Sequence, residues 1–221
     1  MPQHFLKEIE HLKKKILHLT AMVEENLLLS VRSVTERNLT LAETVIENDV
    51  QIDRMEVEVE EECLKTLALY QPVAIDLRFI VAVMKINNDL ERIGDEASNI
   101  AQCTTELALF PRRDVPFDLN RMLAMAVSMV KRSADAMISL DAGRARDICR
   151  SDDEMDEMYH KSRRVIYDQV RKEPDAVEYF SHLLSVSRSL ERIGDHATNI
   201  AEDVIYMVDG EIVRHQGHLA E

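Results

Sequence analysis

The chain has 221 residues, with 41 acidic and 27 basic side chains and a formal charge of −14 at pH 7. Such an acidic chain repels phosphate backbones, and it has no basic patch interleaved with aromatic residues, which argues against nucleic acid as a direct ligand. Only five glycines and five prolines occur, too few for the many turns of an all-β sandwich or barrel.

The sequence carries no evident signal for export or membrane insertion. Its first 15 residues, MPQHFLKEIEHLKKK, are charged and lack the apolar region of a signal peptide. The longest uncharged apolar run, Phe79 to Met84, is six residues long, whereas a membrane span needs about 18. Three widely spaced cysteines without a CxxC pair are typical of a reducing compartment. We therefore expect a cytoplasmic chain that does not insert into the membrane.

Apolar residues recur every three or four positions between the prolines. In the first segment, Phe5, Ile9 and Leu12 begin a series that continues to Val23, which is the spacing of one face of an amphipathic helix. The prolines mark helix boundaries, since proline is tolerated in a first turn and is costly in the interior. Long helices joined by short turns form a bundle, so the pattern predicts an all-α fold. The six predicted helices lie at about 4–38, 41–70, 73–109, 118–141, 143–172 and 175–208.

An internal repeat divides the chain into two halves. The segment LERIGDEASNIA at 90–101 returns as LERIGDHATNIA at 190–201, with ten of twelve positions identical. Upstream, residues 48–53 align with residues 151–156 at an offset of 103, which also places Asn38 on Asp141. The repeat predicts two three-helix bundles. Their expected boundaries are 1–110 for the first repeat, 111–117 for a linker, 118–214 for the second repeat and 215–221 for a tail.

The repeated residues include carboxylates, although packing alone would repeat only the apolar pattern. Glu91 and Asp95 are four residues apart, so both project from one helical face, about 6 Å apart along the axis. Like charges at this spacing destabilise a helix, and a cation bound by their hard oxygen ligands would neutralise them. We therefore predict a cation site in each repeat. The candidate ligands share this spacing and are Asp49, Asp53, Glu91 and Asp95 in the first repeat and Asp152, Asp156, Glu191 and Asp195 in the second.

Two points about these sites stay open from the sequence. Asn99 and Asn199 continue the same helical faces and are either ligands or hydrogen-bond partners of ligands. Asp152 and Asp153 both precede the segment Glu154-Met155-Asp156, so the ligand register in the second repeat is ambiguous.

We expect structural roles for several residues that lie near the candidate ligands. Gly94 and Gly194 lie inside the repeated helices, where glycine costs about 1 kcal/mol relative to alanine, which indicates a closely approaching helix. Arg92 is expected to pair with Glu96 one turn further on. Glu56 is expected to be solvated, because its repeat counterpart is a tyrosine.

The duplicated LERIGD-x-A-x-N-I-A segments, each preceded by a DxxxD helix, resemble the PhoU family, from the first helix to about Arg214. The resemblance implies two three-helix bundles and a cytoplasmic, non-enzymatic accessory protein of the phosphate ABC transporter. It implies as partners the transporter's ATPase subunit and the phosphate-sensing histidine kinase, with phosphate uptake and the starvation response repressed when phosphate is plentiful. It also implies metal ions, as an iron or zinc cluster on the E/DxxxD motifs, and a homodimer.

Two alternatives to the adaptor remain. A ferritin-like di-iron carboxylate oxidase needs inward-facing Glu-x-x-His pairs, and the chain contains Glu8 with His11 and Glu157 with His160. Neither pair recurs in the repeat, which weakens this interpretation. The other alternative is a helical interaction module without metal.

Overall fold

A computed structural model describes residues 3–213, and these form six α-helices without a β-strand. The predicted all-α fold of six long helices is confirmed. The helices are α1 (Gln3–Glu36), α2 (Leu39–Tyr70), α3 (Ile75–Leu107), α4 (Leu119–Ser139), α5 (Ala142–Lys172) and α6 (Val177–Asp209), and a 3₁₀ turn at Pro174–Ala176 precedes α6. The predicted tail at 215–221 lies outside the described residues.

Helix boundaries differ from the prediction where single residues leave helical geometry. The first helix ends at Glu36 rather than 38 because Arg37 has a left-handed φ of 54°. The third begins at Ile75 rather than 73 because Ala74 has a φ of 51°. Such conformations are uncommon for residues with a Cβ, and sequence periodicity carries no sign of them.

Side-chain caps begin the second helix of each repeat at corresponding positions. The Asn38 side chain accepts a hydrogen bond from the Leu41 N–H at 3.2 Å, and the Asp141 side chain accepts one from the Arg144 N–H at 3.0 Å. Asparagine and aspartate are preferred caps because they satisfy an N–H group that has no intrahelical partner. The equivalent caps match the sequence alignment at an offset of 103.

Within each repeat the three helices pack together, and the repeats meet where α3 packs against α6 and where α1 packs against α4. Helices α3 and α6 run antiparallel, since Phe110 after α3 contacts Tyr179 at the start of α6, while Arg78 near the start of α3 lies beside Gly210 at the end of α6. One hydrophobic core extends through both repeats. No helix in the described part of the chain is long and apolar enough to cross a membrane.

The interface between repeats contains two buried acidic residues with partners on α6. His196 Nδ1 lies 2.9 Å from Asp89 Oδ1, and the Asn199 amide donates to the same oxygen at 3.3 Å. Glu96 is buried and pairs with Arg192 of the other repeat. The predicted pairing of Glu96 with Arg92 is therefore wrong, because Glu96 turns toward α6.

The first helices of the two repeats differ in length. Helix α1 has 34 residues and α4 has 21. Leu119 at the start of α4 corresponds to Ile16, so residues 3–15 of α1 have no helical counterpart in the second repeat. Residues 108–118 instead connect α3 to α4, and Arg113 of this connection pairs with Glu173 at the end of α5.

Candidate metal centre

Two carboxylates from α2 and two from α3 lie where these helices pack. Asp49 and Asp53 belong to α2, and Glu91 and Asp95 belong to α3. At Gly94 a Cβ would lie 3.1 Å from Asp49 Oδ1, so the close approach predicted at this glycine is confirmed. The missing side chain leaves room for the Asp49 carboxylate beside α3. We call these four acidic residues the first acid cluster.

Burial and neighbouring negative charges raise the pKa of three carboxylates of the first acid cluster, those of Asp49, Glu91 and Asp95. Burial and the charges of Asp53 and Asp95 raise the pKa of Asp49 to about 6, against a hydrogen bond from Ser98 that lowers it. Burial, then the charges of Asp95 and Asp53, raise the pKa of Glu91. Burial and Asp53 likewise raise the pKa of Asp95. Since desolvation and like charges both disfavour ionised carboxylates, a cation bound here would stabilise the cluster.

The same arrangement recurs between α5 and α6. Asp152 and Asp156 lie on α5, and Glu191 and Asp195 lie on α6; we call them the second acid cluster. Burial and the charges of Asp195 and Asp156 raise the pKa of Asp152 to about 6. The same causes raise the pKa of Glu191 to about 7. In both clusters, burial and like charges thus raise the pKa of the first aspartate and of the glutamate.

The structure distinguishes Asp152 from Asp153. Asp152 is half-buried and accepts a hydrogen bond from the Thr198 hydroxyl at 3.2 Å, whereas Asp153 is exposed. Thr198 corresponds to Ser98, whose hydroxyl lowers the pKa of Asp49. The hydroxyl that Ser98 and Thr198 share is the sequence signal for this contact. We assign Asp152 to the cluster on its hydrogen bond with Thr198, since exposure alone does not separate it from Asp53, Asp95 and Asp195, which are also exposed.

Carboxylate oxygens are suitable ligands for a hard cation, although in neither cluster do the carboxylates converge on one point. Within residues 3–213, no group of three or more His, Cys, Asp or Glu side chains has the arrangement of a preformed metal site. Asp49 Oδ1 is buried without a hydrogen-bond partner, and such an unsatisfied oxygen costs about 1–3 kcal/mol. A cation that drew the neighbouring carboxylates together would satisfy this oxygen and cancel their repulsion. The residues therefore fit a carboxylate-bound ion.

The PhoU domain family model matches this chain twice, at residues 16–104 and 119–204. The chain belongs to the PhoU domain family. It is 40% identical over 215 residues to the phosphate-specific transport system accessory protein PhoU homolog of Aquifex aeolicus, across 97% of both chains. It is 37% identical over 218 residues to the homolog of Pseudomonas aeruginosa, across 97% of this chain and 89% of the relative.

Solved PhoU structures share the fold. The crystal structure of PhoU from Pseudomonas aeruginosa superposes with a TM-score of 0.88 at 35% identity, covering 94% of this chain and all (100%) of that one. The phosphate transport system regulatory protein PhoU from Streptococcus pneumoniae superposes with a TM-score of 0.85 at 26% identity, covering 95% and 99% of the two chains. The PhoU fold predicted from the repeated motif is confirmed.

The two asparagines of the PhoU motif have different surroundings. Asn199 donates to Asp89 across the interface between repeats. Asn99 is exposed and lines a groove together with Glu96 and Arg192. No recorded hydrogen bond joins either asparagine to a carboxylate of an acid cluster, so a ligand role for Asn99 or Asn199 stays a prediction.

Glu56 borders the first acid cluster, and sequence reasoning missed it. It is half-buried rather than solvated, its carboxylate accepts a hydrogen bond from the Asn87 amide at 3.1 Å, and its charge is among those that raise the pKa of Glu91. Because Tyr159 stands at the repeat position, no repeated signal marked this residue.

The Glu-x-x-His pairs of the di-iron alternative lie at the surface. His11 is exposed and lies 3.4 Å from Glu62. Glu157 and His160 are both exposed on α5. A di-iron carboxylate site needs such residues to face the interior of the bundle, so this geometry favours the acid clusters over these pairs as the metal centre.

Proposed function

We propose that this chain is a non-enzymatic accessory regulator of a phosphate-specific transport system. The support is the alignment, over nearly the whole of both chains, with relatives that carry this description. The observation that carries the proposal within the structure is the occurrence of an equivalent acid cluster in each repeat. Rigid helices present both clusters, which suits a docking protein.

The proposed partners are the ATPase subunit of the phosphate ABC transporter and a phosphate-sensing histidine kinase, met in the cytoplasm. The chain acts there as a homodimer that represses phosphate uptake and the starvation response when phosphate is plentiful. No glycine-rich phosphate loop occurs in the sequence, so we place phosphate sensing in the partners.

Metal ions, with iron and zinc as candidates, are proposed to bind to the acid clusters. The first acid cluster would hold one set of ions through Asp49, Asp53, Glu91 and Asp95. The second acid cluster would hold the other set. Such an ion supplies positive charge that neutralises carboxylates which otherwise repel one another. The residues of each cluster fix the position of that charge on the helical surface, and this changes the electrostatic complementarity to a partner.

The adaptor role is tested by affinity purification of the tagged chain from phosphate-replete cells of its own organism. We expect the transport ATPase or the histidine kinase to co-purify, and phosphate uptake to rise when the chain is deleted. Unchanged uptake together with recovery of neither partner would contradict the proposal.

The metal sites are tested separately by elemental analysis of the purified, loaded protein. The double variant Asp49→Ala with Asp95→Ala is expected to lose about half of the bound cation, because one of the two clusters loses oxygen ligands. The matched control is Glu43→Ala with Glu47→Ala, which removes two exposed carboxylates of α2 outside the clusters. Retention of the full complement in the first variant would show that these ligands are misassigned.

A further inference from the structure

Helix α2 carries a row of exposed apolar side chains on its outer face. In the described part of the chain α2 packs against α1 and α3 alone, and Val45, Ile52 and Val59 line its buried side. Five large apolar side chains lie on the other side and are 37–51% exposed, namely Leu39, Ile46, Val50, Val57 and Leu64. With 3.6 residues per turn, steps of seven, four, seven and seven residues place them within about 40° of one another around the helix axis. We call this row the α2 stripe.

The packing of a repeat does not require the α2 stripe. Helix α5 holds the same place in the second repeat and packs against α4 and α6. At the offset of 103, Val50 corresponds to Asp153 and Val57 corresponds to His160, and both of these polar residues are exposed. Because the fold accepts polar side chains at these positions, the apolar row of the first repeat has another role. Exposed apolar patches with a polar border mark interaction sites.

Exposed carboxylates border the α2 stripe on both sides. They are Glu43, Glu47 and Glu61 on one side and Asp53 and Glu60 on the other. The ion pairs of α2 with Lys15 of α1 use Glu58 and Glu62 instead, so within residues 3–213 none of the five bordering carboxylates is paired with a lysine or arginine. Over its length α2 carries nine acidic side chains and two basic ones. The α2 stripe therefore lies in a strongly negative surface.

The corresponding border is basic in the second repeat. At the offset of 103, arginine replaces three of the bordering glutamates. The pairs are Glu43 with Arg146, Glu60 with Arg163 and Glu61 with Arg164. Helix α5 as a whole carries seven acidic and eight basic side chains. The outer faces of α2 and α5 thus differ in polarity and in charge, and a partner that fits one face does not fit the other.

We propose that the α2 stripe binds a basic amphipathic helix of a partner protein. Two helices pack along an apolar row, and the charges that flank the row select a partner of opposite sign. From Leu39 to Leu64 the stripe is about 38 Å long, which accommodates a long partner helix. The proposal rests on the adaptor function and names one docking surface for it.

A second copy of this chain fits the α2 stripe poorly. If it docked through its own α2 stripe, the bordering carboxylates of the two copies would repel one another. If it docked through α5, it would present Asp153 and His160 where an apolar row is needed. The charge and the polarity of the surface therefore favour a basic helix of a different protein.

Two labelled helical peptides test the proposal by fluorescence anisotropy with the whole chain. Both carry leucine at the first and fourth positions of about three heptads. They differ only at the positions that flank the leucines, which are lysine in one peptide and glutamate in the other. We expect the lysine peptide to bind about ten-fold more tightly, because its cations meet the carboxylates that border the stripe. Raising the salt concentration should reduce this difference.

Removal of one apolar side chain from the α2 stripe locates the binding site. Leu64→Ser should weaken binding of the lysine peptide about five-fold, since the peptide would bury the exposed half of this side chain. The matched control is Tyr167→Ser at the repeat-equivalent position of α5, because Tyr167 is 48% exposed and Leu64 is 51% exposed. The control should bind the lysine peptide as the unaltered chain does.

A charge reversal at the border tests the electrostatic part of the proposal. Glu61→Lys should weaken binding of the lysine peptide about three-fold and strengthen binding of the glutamate peptide. Glu61 is exposed, so this change leaves the fold intact. The matched control is Glu157→Lys, the same change at an exposed position of α5, which should alter neither affinity.

Equal binding of the two peptides, no saturation up to about 1 mM, or equal effects of Leu64→Ser and Tyr167→Ser would overturn the proposal. A homodimer that Leu64→Ser dissociates in analytical ultracentrifugation would also overturn it, because a second copy would then occupy the α2 stripe. The assay measures neither phosphate uptake nor metal, so its failure would leave the proposed adaptor function standing.

Discussion

Single glycines determine how closely the acid-bearing helices approach. A Cβ on Gly94 would lie 3.1 Å from both Asp49 Oδ1 and a methyl carbon of Ile52, and Ile52 is fully buried. A Cβ on Gly194 would lie 3.1 Å from Cγ of Met155. Methionine is unbranched and adapts its shape, whereas a buried isoleucine has few alternative rotamers. The two glycines therefore occupy equivalent positions but differ in how well their surroundings accommodate an added methyl group.

We expect Gly94→Ala to destabilise the chain by about 1–2 kcal/mol, because the cost of overpacking exceeds the gain of about 1 kcal/mol in helix propensity. Gly194→Ala should be neutral or slightly stabilising, since Met155 can move aside. Urea unfolding of both variants measures the difference, and each serves as the control for the other. Equal free energies of unfolding for the two variants would contradict this account.

At the scale of helices, local spacing and internal repetition in the sequence are sufficient to predict the helices and the repeated carboxylates. The six helices follow from apolar spacings of three and four residues, and the repeated carboxylates follow from offsets of 103 residues in the second helix of each repeat and 100 residues in the third. Contacts between elements do not follow in this way. Glu96 pairs with Arg192 and Asp89 with His196 across the repeats, and a sequence pattern contains no information on which faces of α3 and α6 meet. These partners are also not repeated, since His196 stands where the first repeat has Glu96.

The contact of Asp89 with His196 and Asn199 is expected to stabilise the packing of α3 on α6. His196→Ala leaves a buried carboxylate with Asn199 as its remaining partner, which should cost about 2–4 kcal/mol. Adding Asp89→Ser, the residue of the repeat counterpart Ser189, should restore at least half of the loss because the buried charge is removed. Thermal unfolding of the single and double variants tests this coupling. Simple addition of the two effects would show that the contact contributes no pairwise stability.

At the scale of the whole molecule, carboxylates with raised pKa are gathered in two places on a chain of net charge −14. Each cluster combines acidic residues from two helices of one repeat. Mutual repulsion therefore opposes helix packing in both repeats at neutral pH. We therefore expect the acid clusters to destabilise the cation-free fold, and a cation that neutralises both clusters to stabilise both repeats.

The cation-free chain should accordingly lose stability as the pH rises. The folded-state pKa values of about 6 for Asp49 and Asp152 and about 7 for Glu191 exceed the unfolded values near 4. Between about pH 4 and pH 7 the folded state then binds more protons than the unfolded state, so the free energy of unfolding falls with increasing pH. Chelator-treated protein should show this in its melting temperature, with a smaller slope in the double variant Asp49→Asn and Asp152→Asn. Added divalent cation should stabilise the unaltered chain most above pH 7, where the carboxylates are ionised. A melting temperature that rises through this window in both proteins would show that the clusters do not repel as their pKa values indicate.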